Sequence, residues 1–596
     1  MLLQPIVPVD GPGGSALAAW EPVWGFVIVL TLILVALGVT GRAPDGGRGF
    51  ERAVLRVPRA LERLTGVPGW AATTVLSSIY GLVFAGQGFY TDVAWHVALG
   101  RDDDIFTPPH TAIFTGLVII AAAPLLGILV ATVERVPNAL RWGGLRIPRS
   151  LVPLGVLGVA AVTGFPIDEL WHRAYGVDVT MWSPPHLIMI LAASFSGLAS
   201  WLVLADAGVR PGAGETPGRR RWSRGLHVAT AALSLMGLSS VQGEFSFGVP
   251  QWQQLYHPVL VCLAAGLGLV AIRLVHGRGW ALGIAVGLLA FDASGLLGDG
   301  EPIETRTGAI YLVSALVVEA VAHLAGTDRR IRFALLSGIG VGTLGLAGEW
   351  GWNAGAHQPW TAALLPEAVL VGALGAVATA LIGTAVGGAI SGAPGRSRLP
   401  AAAVALGVLG VLVALAIPAP RQTGDVVADV TFTWVDGDRA TVEVALDPPD
   451  AAEGARWFTA GSWQWGGRTI AHMEEMAPGR HQSEEPLLLT GRAKALLRLH
   501  RGAEMMAVPL RLPADPEYDL PEVAAEDREV AFLPEQQFLQ REASDGTGGL
   551  ATAVLAIVVV LGSLWVGTFA WAAGAIGRRG ATDVAARSTE ASRPPG

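Results

Sequence analysis

Sulfur and charge are the two things this chain has little of. Its 596 residues include one cysteine, Cys262, set in an apolar run. A single thiol makes no intrachain disulfide, no thiolate zinc site and no iron–sulfur cluster, and this one is poorly placed for a type 1 copper centre. Any metal ion here would be held by histidine, carboxylate or methionine. Charged residues make up 15% of the chain, against about a quarter in soluble globular proteins, while 52% of residues are hydrophobic and the mean hydropathy is +0.48. These figures exclude a soluble or disordered chain and point to a polytopic membrane protein. No basic stretch interleaved with aromatics is present, so a nucleic-acid partner is not expected; the surrounding lipid is. No basic residue precedes Arg42, so the first apolar segment reads as a retained anchor with its N-terminus outside, not as a cleaved signal peptide.

Apolar stretches of about the 20-residue length a bilayer requires occur at 17–40, 69–91, 110–132, 150–167, 186–207, 226–245, 258–275, 280–297, 308–326, 334–352, 361–390, 401–418 and 548–575. The expectation is about thirteen transmembrane helices in a multi-pass protein of the cell membrane. Arg48, Arg52, Arg56 and Arg59, then Arg135, Arg141 and Arg146, then Arg219, Arg220, Arg221 and Arg224, then Arg329, Arg330 and Arg332 fall in every second loop. Those loops are expected to be cytoplasmic, and the intervening ones, which carry acids and histidines, extracytoplasmic. Residues 419–546 differ: they hold 23 acidic and 12 basic residues, and runs such as Val430 to Val435 and Thr441 to Leu446 alternate between Asp-Gly and Pro turn signals. The expected organisation is an N-terminal anchor helix and cytoplasmic loop (1–68), a membrane bundle of repeated helical hairpins (69–418), an extracytoplasmic β-sandwich (419–546), a C-terminal transmembrane helix (547–577) and a disordered cytoplasmic tail (578–596).

The strongest signal is an internal duplication. Gly88-Phe89-x2-Asp92-x2-Trp95-His96-x-Ala98-x-Gly100-x-Asp102-x4-Thr107-Pro108-Pro109-His110 recurs 76 residues later as Gly164-Phe165-x2-Asp168-x2-Trp171-His172-x-Ala174-x-Gly176-x-Asp178-x4-Ser183-Pro184-Pro185-His186, without a gap. Each copy is a helix, a loop and a returning helix. Asp92 and His96, like Asp168 and His172, are spaced i,i+4 and share a helix face. The Pro-Pro pair fixes an extended approach and opens the next helix, bringing His110 or His186 back toward them. One carboxylate and two imidazoles on adjacent helices make an oxygen/nitrogen site for copper, iron or zinc rather than calcium or magnesium. The structural alternative is that these groups pair with one another, cap helices or face water, with the tryptophans as interface anchors. Repetition of all three ligand types at one spacing favours metal or proton chemistry. Weaker copies contribute Glu244, His257, Asp292, Glu349 and His357, as further ligands, as groups that orient the ligands, or as residual packing.

The segment from Asp92-x2-Trp95-His96 through Arg101-Asp102 to Phe106-Thr107-Pro108-x-His110 resembles the metal-binding segment of the C subunit of copper membrane monooxygenases, the particulate methane and ammonia monooxygenase family. The resemblance implies that Asp92, His96 and His110 bind copper near the outer membrane face, and that Asp168, His172 and His186 do so in the duplicate. It implies oxidation of a small apolar or amine substrate with dioxygen, served by an electron donor and by other membrane subunits. This chain differs in being duplicated and in its higher span count. The family's assemblies carry an extracytoplasmic cupredoxin-like module, which the 419–546 domain, of cupredoxin or immunoglobulin-like type, resembles in position and β character. Within that domain His472, Met473, Met476 and His481 form a possible copper set, although such residues more often pack or face water. Glu319, His323 and Glu367 are candidate members of a proton path, or else buried ion pairs near an interface. The alternative function is a metal-ion or proton-coupled transporter or metal-handling protein, with the same cluster as its entry site.

Overall fold

A computed structural model describes residues 21–42, 48–99, 106–175, 182–247, 253–292, 309–356, 359–392, 425–464, 467–501, 504–541 and 548–591. The expected span at 401–418 and the candidate residue His357 lie outside the described residues, as does the side chain of His96. Helix α1 (Glu21–Arg42) leads to two short helices, α2 (Arg48–Val54) and α3 (Arg56–Thr65). The duplicated units follow as two hairpins. The first is α4 (Gly69–Leu99) with α5 (Pro108–Val133), and the second is α6 (Leu151–Tyr175) with α7 (Pro184–Asp206). A small antiparallel ribbon of β1 (Leu140–Trp142) and β2 (Leu145–Ile147) joins them.

Both returning helices start where the Pro-Pro pair places them, with proline in the first turn, where its missing N–H costs no helical bond. Ser183 caps α7 by accepting from the His186 amide at 3.3 Å, whereas the Thr107 side chain makes no such cap on α5. The hairpins stack side by side, α4 against α7 and α5 against α6. Small residues set the spacing, as expected where lipid supplies no drive for helix association. A side chain at Gly116 of α5 would bring its Cβ to 2.6 Å from the Gly81 carbonyl of α4.

Beyond α7 come α8 (Pro217–Ser239), α9 (Gly243–Phe247), α10 (Tyr256–His276), α11 (Trp280–Asp292), α12 (Leu312–Ala325), α13 (Arg330–Gly340), a π-helical turn at Val341–Gly345, α14 (Leu346–Asn353) and α15 (Leu365–Ile390). Eight helices of the described chain are long and apolar enough to cross a membrane: α4, α5, α6, α7, α10, the continuous run α13 to α14, α15, and the final helix α17 (Gly548–Ala591). Among the described residues these eight answer to the thirteen spans read from the sequence; α12 has 14 residues, and α8 spends its first turns on Arg219, Arg220, Arg221 and Arg224. Large aliphatic side chains such as Leu370, Leu374, Val560 and Leu564 stand exposed on α15 and α17, the surface a hydrocarbon solvent requires and water does not.

The β domain comprises β3 (Val427–Trp434), β4 (Arg439–Asp447), β5 (Trp457–Gln464), β6 (Gly467–Ala477), β7 (Arg480–Ser483), β8 (Leu487–Leu488), β9 (Lys494–Arg501), β10 (Glu504–Arg511), β11 (Arg528–Ala531) and β12 (Leu533–Pro534), followed by the one-turn helix α16 (Gln536–Leu539). On β4 the expected alternation holds residue by residue, with Ala440, Val442, Val444 and Leu446 inside. The architecture departs from two stacked sheets. All strands belong to one antiparallel sheet in the order β11-β3-β4-β7-β6-β5-β9-β10-β12, with β8 paired to β4. The outermost strands, β11 and β12, are consecutive in the chain and joined by the buried Phe532, so the sheet nearly closes on itself. The domain touches the bundle through α4 and through an ion pair between Arg456 at the start of β5 and Glu367 at the start of α15.

Candidate metal centre

The i,i+4 spacing and the Pro-Pro turn do what the sequence implies in the second unit. α6 carries Asp168 and His172 to its final turns, and α7 opens with His186 in its first. His172 Nε2 lies 3.6 Å from Asp168 Oδ1, and His186 Nε2 lies 3.3 Å from Asp168 Oδ2. All three ligand atoms fall within 4.8 Å of one another. The two imidazole planes are nearly perpendicular, at 80° with centroids 5.8 Å apart. Asp168 and His172 are each 7% exposed and His186 20%, so the site is shielded with one more open side.

These separations are compatible with a shared ion as well as with direct pairing of His186 and Asp168: ligands bonded at about 2.0–2.1 Å in a tetrahedral shell stand roughly 3.3–3.4 Å apart. Among the described residues, the buried Asp168 Oδ1 accepts no hydrogen bond, which is costly for a carboxylate oxygen unless a cation completes it. The donor set fits a borderline first-row ion, with positions left for another ligand.

No family model, curated protein or solved structure matches the chain. The case for this centre therefore rests on its own geometry.

In the first unit Asp92 and His110 also meet, His110 Nε2 lying 3.1 Å from Asp92 Oδ1, an ion-pair distance. His96 is on the same helix as Asp92, one turn further along. The units face each other: Phe165, which opens the second motif, packs on Phe106 and Phe114 of the first at centroid distances of 5.6 Å and 4.4 Å. His110 is close enough to act electrostatically on Asp168. Helix α17 closes the back of the site, the Tyr175 hydroxyl accepting from the Ala551 amide at 3.2 Å, while Trp171 stacks on Tyr175 at 4.3 Å. Glu169, which sequence reasoning passed over, is buried beside Asp168 and is held by Arg173 one turn on at 2.7 Å. Its i,i+4 partner was the available signal.

Of the weaker copies, Glu349 serves a helix end and His257 packs among aromatic rings. Glu349 is buried and accepts the amides of Ile310 at 3.1 Å and Tyr311 at 2.6 Å, capping the start of α12. His257 receives the Trp360 indole N–H on Nδ1 at 3.1 Å and stacks on Phe245 at 4.8 Å. Glu244 is buried on α9, and Asp292 is exposed at the end of α11. Asp168, His172 and His186 form the one ligand cluster found among the described residues, and it includes none of these four.

Glu319, His323 and Glu367 do not meet as a path. Glu319 pairs with Arg273 at 2.9 Å and accepts the Ala281 amide at 3.0 Å, His323 is exposed, and Glu367 pairs with Arg456. Arg273 lies at one end of α10 and His257, beside Trp360, at the other, so the two carboxylates sit at opposite ends of the bundle.

In the β domain, His472 and Met473 are adjacent on β6 and point to opposite faces. Met473 is in the core and Met476 is 64% exposed, while the ring of His481 packs edge-on against Phe458 at 5.0 Å. The four residues do not converge on an ion. The domain's buried polar group is elsewhere: Glu535 accepts from Arg498 at 2.8 and 3.0 Å and pairs with His500 at 2.7 Å, beneath Trp457. Burial alone would raise the Glu535 carboxyl, but the charges and hydrogen bonds of Arg498 and His500 outweigh it and hold it at about 2.

Proposed function

We propose that this chain is a membrane-embedded metal protein, with copper as the resident ion, that oxidises a small apolar or amine substrate with dioxygen. The convergence of Asp168, His172 and His186 carries the reading. A buried carboxylate with two imidazoles at ligand spacing is expensive to keep in a membrane without a cation, and imidazole-rich sites favour copper within the divalent series. The bound ion would supply redox chemistry at its open positions. The protein's own contribution is to hold two neutral imidazoles and one carboxylate, to keep Asp92 and His110 beside them as a nearby acid/base pair, and to exclude water with Phe165, Trp171 and α17.

Under the same proposal all thirteen apolar segments enter the membrane, the β domain and N-terminus lie outside, and the C-terminus lies in the cytoplasm, as the alternation of arginine-rich loops implies. An electron donor and further membrane subunits complete the system. The transport alternative has less support, because the carboxylates expected to continue a route inward are held by Arg273 and Arg456.

The test is elemental analysis of gently purified protein beside the His172→Ala/His186→Ala double variant. Wild type is expected to hold stoichiometric copper and the variant to lose it. Copper-dependent dioxygen consumption with an added reductant supports the enzyme reading, and metal flux in vesicles without it supports transport. Absence of any transition metal from wild type, or full retention by the variant, overturns the metal site.

A further inference from the structure

Helices α6 and α17 run antiparallel, and the end of α17 lies far from Asp168. α17 passes Tyr175 at its start and reaches Asp206 and the start of α6 at Arg579. Between the end of α17, the β1–β2 ribbon and the residues that lead into α6 lies an open cavity of about 500 Å³ lined by Leu140, Arg149, Trp571, Ala575, Arg578 and Arg579, within the roughly 300–1,000 Å³ range of ligand sites. The wall presents three guanidinium groups and, among the described residues, no acidic one.

The one carboxylate seen at its margin, Asp206, is already used. Its Oδ2 accepts from both the amide and the hydroxyl of Ser150 at 3.0 Å, and its Oδ1 accepts from Arg579 Nη1 at 3.2 Å. The other terminal nitrogen of Arg579, Nη2, is buried with no hydrogen-bond partner among the described residues. Arg149 Nη1 donates to the Asn138 carbonyl at 2.6 Å, which fixes its side chain at the cavity.

The ribbon beside the cavity adds charge. Arg141 and Arg146 are directly opposed across β1 and β2, a like-charge pair that is unfavourable unless an anion lies near. Trp142 at the ribbon's tip is 74% exposed and Trp571 41%. Arginines with amphipathic indoles at the level where two apolar spans end are the chemistry of a headgroup layer.

We infer that this cavity binds the phosphodiester of an anionic phospholipid, with Arg149, Arg578 and Arg579 holding the phosphate and Trp571 beside the glycerol backbone. The shared chemistry is a phosphate oxyanion, and the exposed indoles of Trp142 and Trp571 together with the apolar surface of α17 assign it to lipid over free phosphate. The inference is independent of the metal centre.

Native mass spectrometry of the full-length protein in detergent tests it, with phosphatidylglycerol and phosphatidylcholine of identical acyl chains and with inorganic phosphate as separate probes. Wild type is expected to retain phosphatidylglycerol at least tenfold better than phosphatidylcholine. The variant R149Q/R578Q, which leaves the Arg579–Asp206 pair intact, is expected to lose that preference, R149K/R578K to keep most of it, and R439Q on the β domain to keep all of it. Equal retention of the two lipids, or wild-type preference in R149Q/R578Q, overturns the site. Displacement of phosphatidylglycerol by millimolar inorganic phosphate overturns the lipid assignment in favour of free phosphate.

Discussion

Gly88 and Gly164 occupy the same place in the duplicated motif, yet an added Cβ meets backbone at one and a side chain at the other. A Cβ at Gly88 would stand 2.6 Å from the Ile113 amide nitrogen and 3.0 Å from the Pro109 carbonyl. Both are backbone atoms of the first turns of α5, on either side of His110. Restoring an ordinary 3.4 Å contact requires the two helices to part by about 0.8 Å. That would stretch the 3.1 Å Asp92–His110 pair past hydrogen-bonding range. Overpacking of this kind costs roughly 1–3 kcal/mol, offset by about 1 kcal/mol from replacing glycine within a helix. The net expectation for Gly88→Ala is a destabilisation of up to about 2 kcal/mol. At Gly164 the nearest atom is Cγ of Met189, and the next neighbours are at 3.5 Å. Met189 is buried and its Cγ lies near the root of the side chain, so the methionine must change rotamer within the core, which its flexibility eases; Gly164→Ala is expected to destabilise less than Gly88→Ala, by about 0–1 kcal/mol. Thermal unfolding of both variants in one detergent reads the difference, with metal content as a second measure. The reasoning is refuted if Gly164→Ala lowers the midpoint as much as Gly88→Ala, or if Gly88→Ala leaves it unchanged.

Three further outcomes follow from the same geometry. Asp168→Asn is expected to weaken metal retention by about 100-fold or more, beyond the 10–100-fold typical of groups that only orient ligands, with Asp92→Asn weakening it less; equal losses in equilibrium dialysis would argue against the second unit as the main site. In the β domain the Glu535 carboxyl is held at about 2, below its ordinary 4.5, so folding releases its proton. Its stabilising contribution, of order 3 kcal/mol, is complete above about pH 4.5 and fades as pH falls toward 2. Glu535→Gln should flatten that acid limb of the unfolding profile as well as lowering stability near neutrality, and an unchanged limb would show that Glu535 does not drive it. Arg456→Met removes the partner of Glu367 at the junction between the β domain and α15; hydrogen exchange should quicken at the first turn of α15 while the β core melts as before, and unchanged exchange there would show that the pair does not tie the domain down.

The parts of this architecture set by neighbours in sequence were legible without coordinates. Helical spacing put Asp168 and His172 on one face, Pro184 and Pro185 opened the helix that returns His186, and period-two alternation marked β4, because each depends on contacts within a few residues. Composition alone gave a lipid-facing helical protein. What the chain could not announce was who neutralises whom at long range. Glu367 finds Arg456 across 89 positions, and Glu535 finds Arg498 across 37; before folding, both carboxylates looked as available for chemistry as Asp168 does.

Likewise, Glu349 and His257 carry the right atoms at nearly the right repeat positions, but packing turned one into a helix cap and the other into a partner for Trp360. Strands β3 and β4 were readable from their alternation, while the near-closure of ten strands into a single curved sheet, with Phe532 between its two edges, was not. The sequence by itself determined the duplicated hairpin, its ligand types and the solvent it folds in. The tertiary structure alone decided that the second unit brings Asp168, His172 and His186 within 4.8 Å of one another, and that most of the remaining buried acids are held by an arginine or a helix end, because those choices are made by side chains that meet only when distant helices and strands pack.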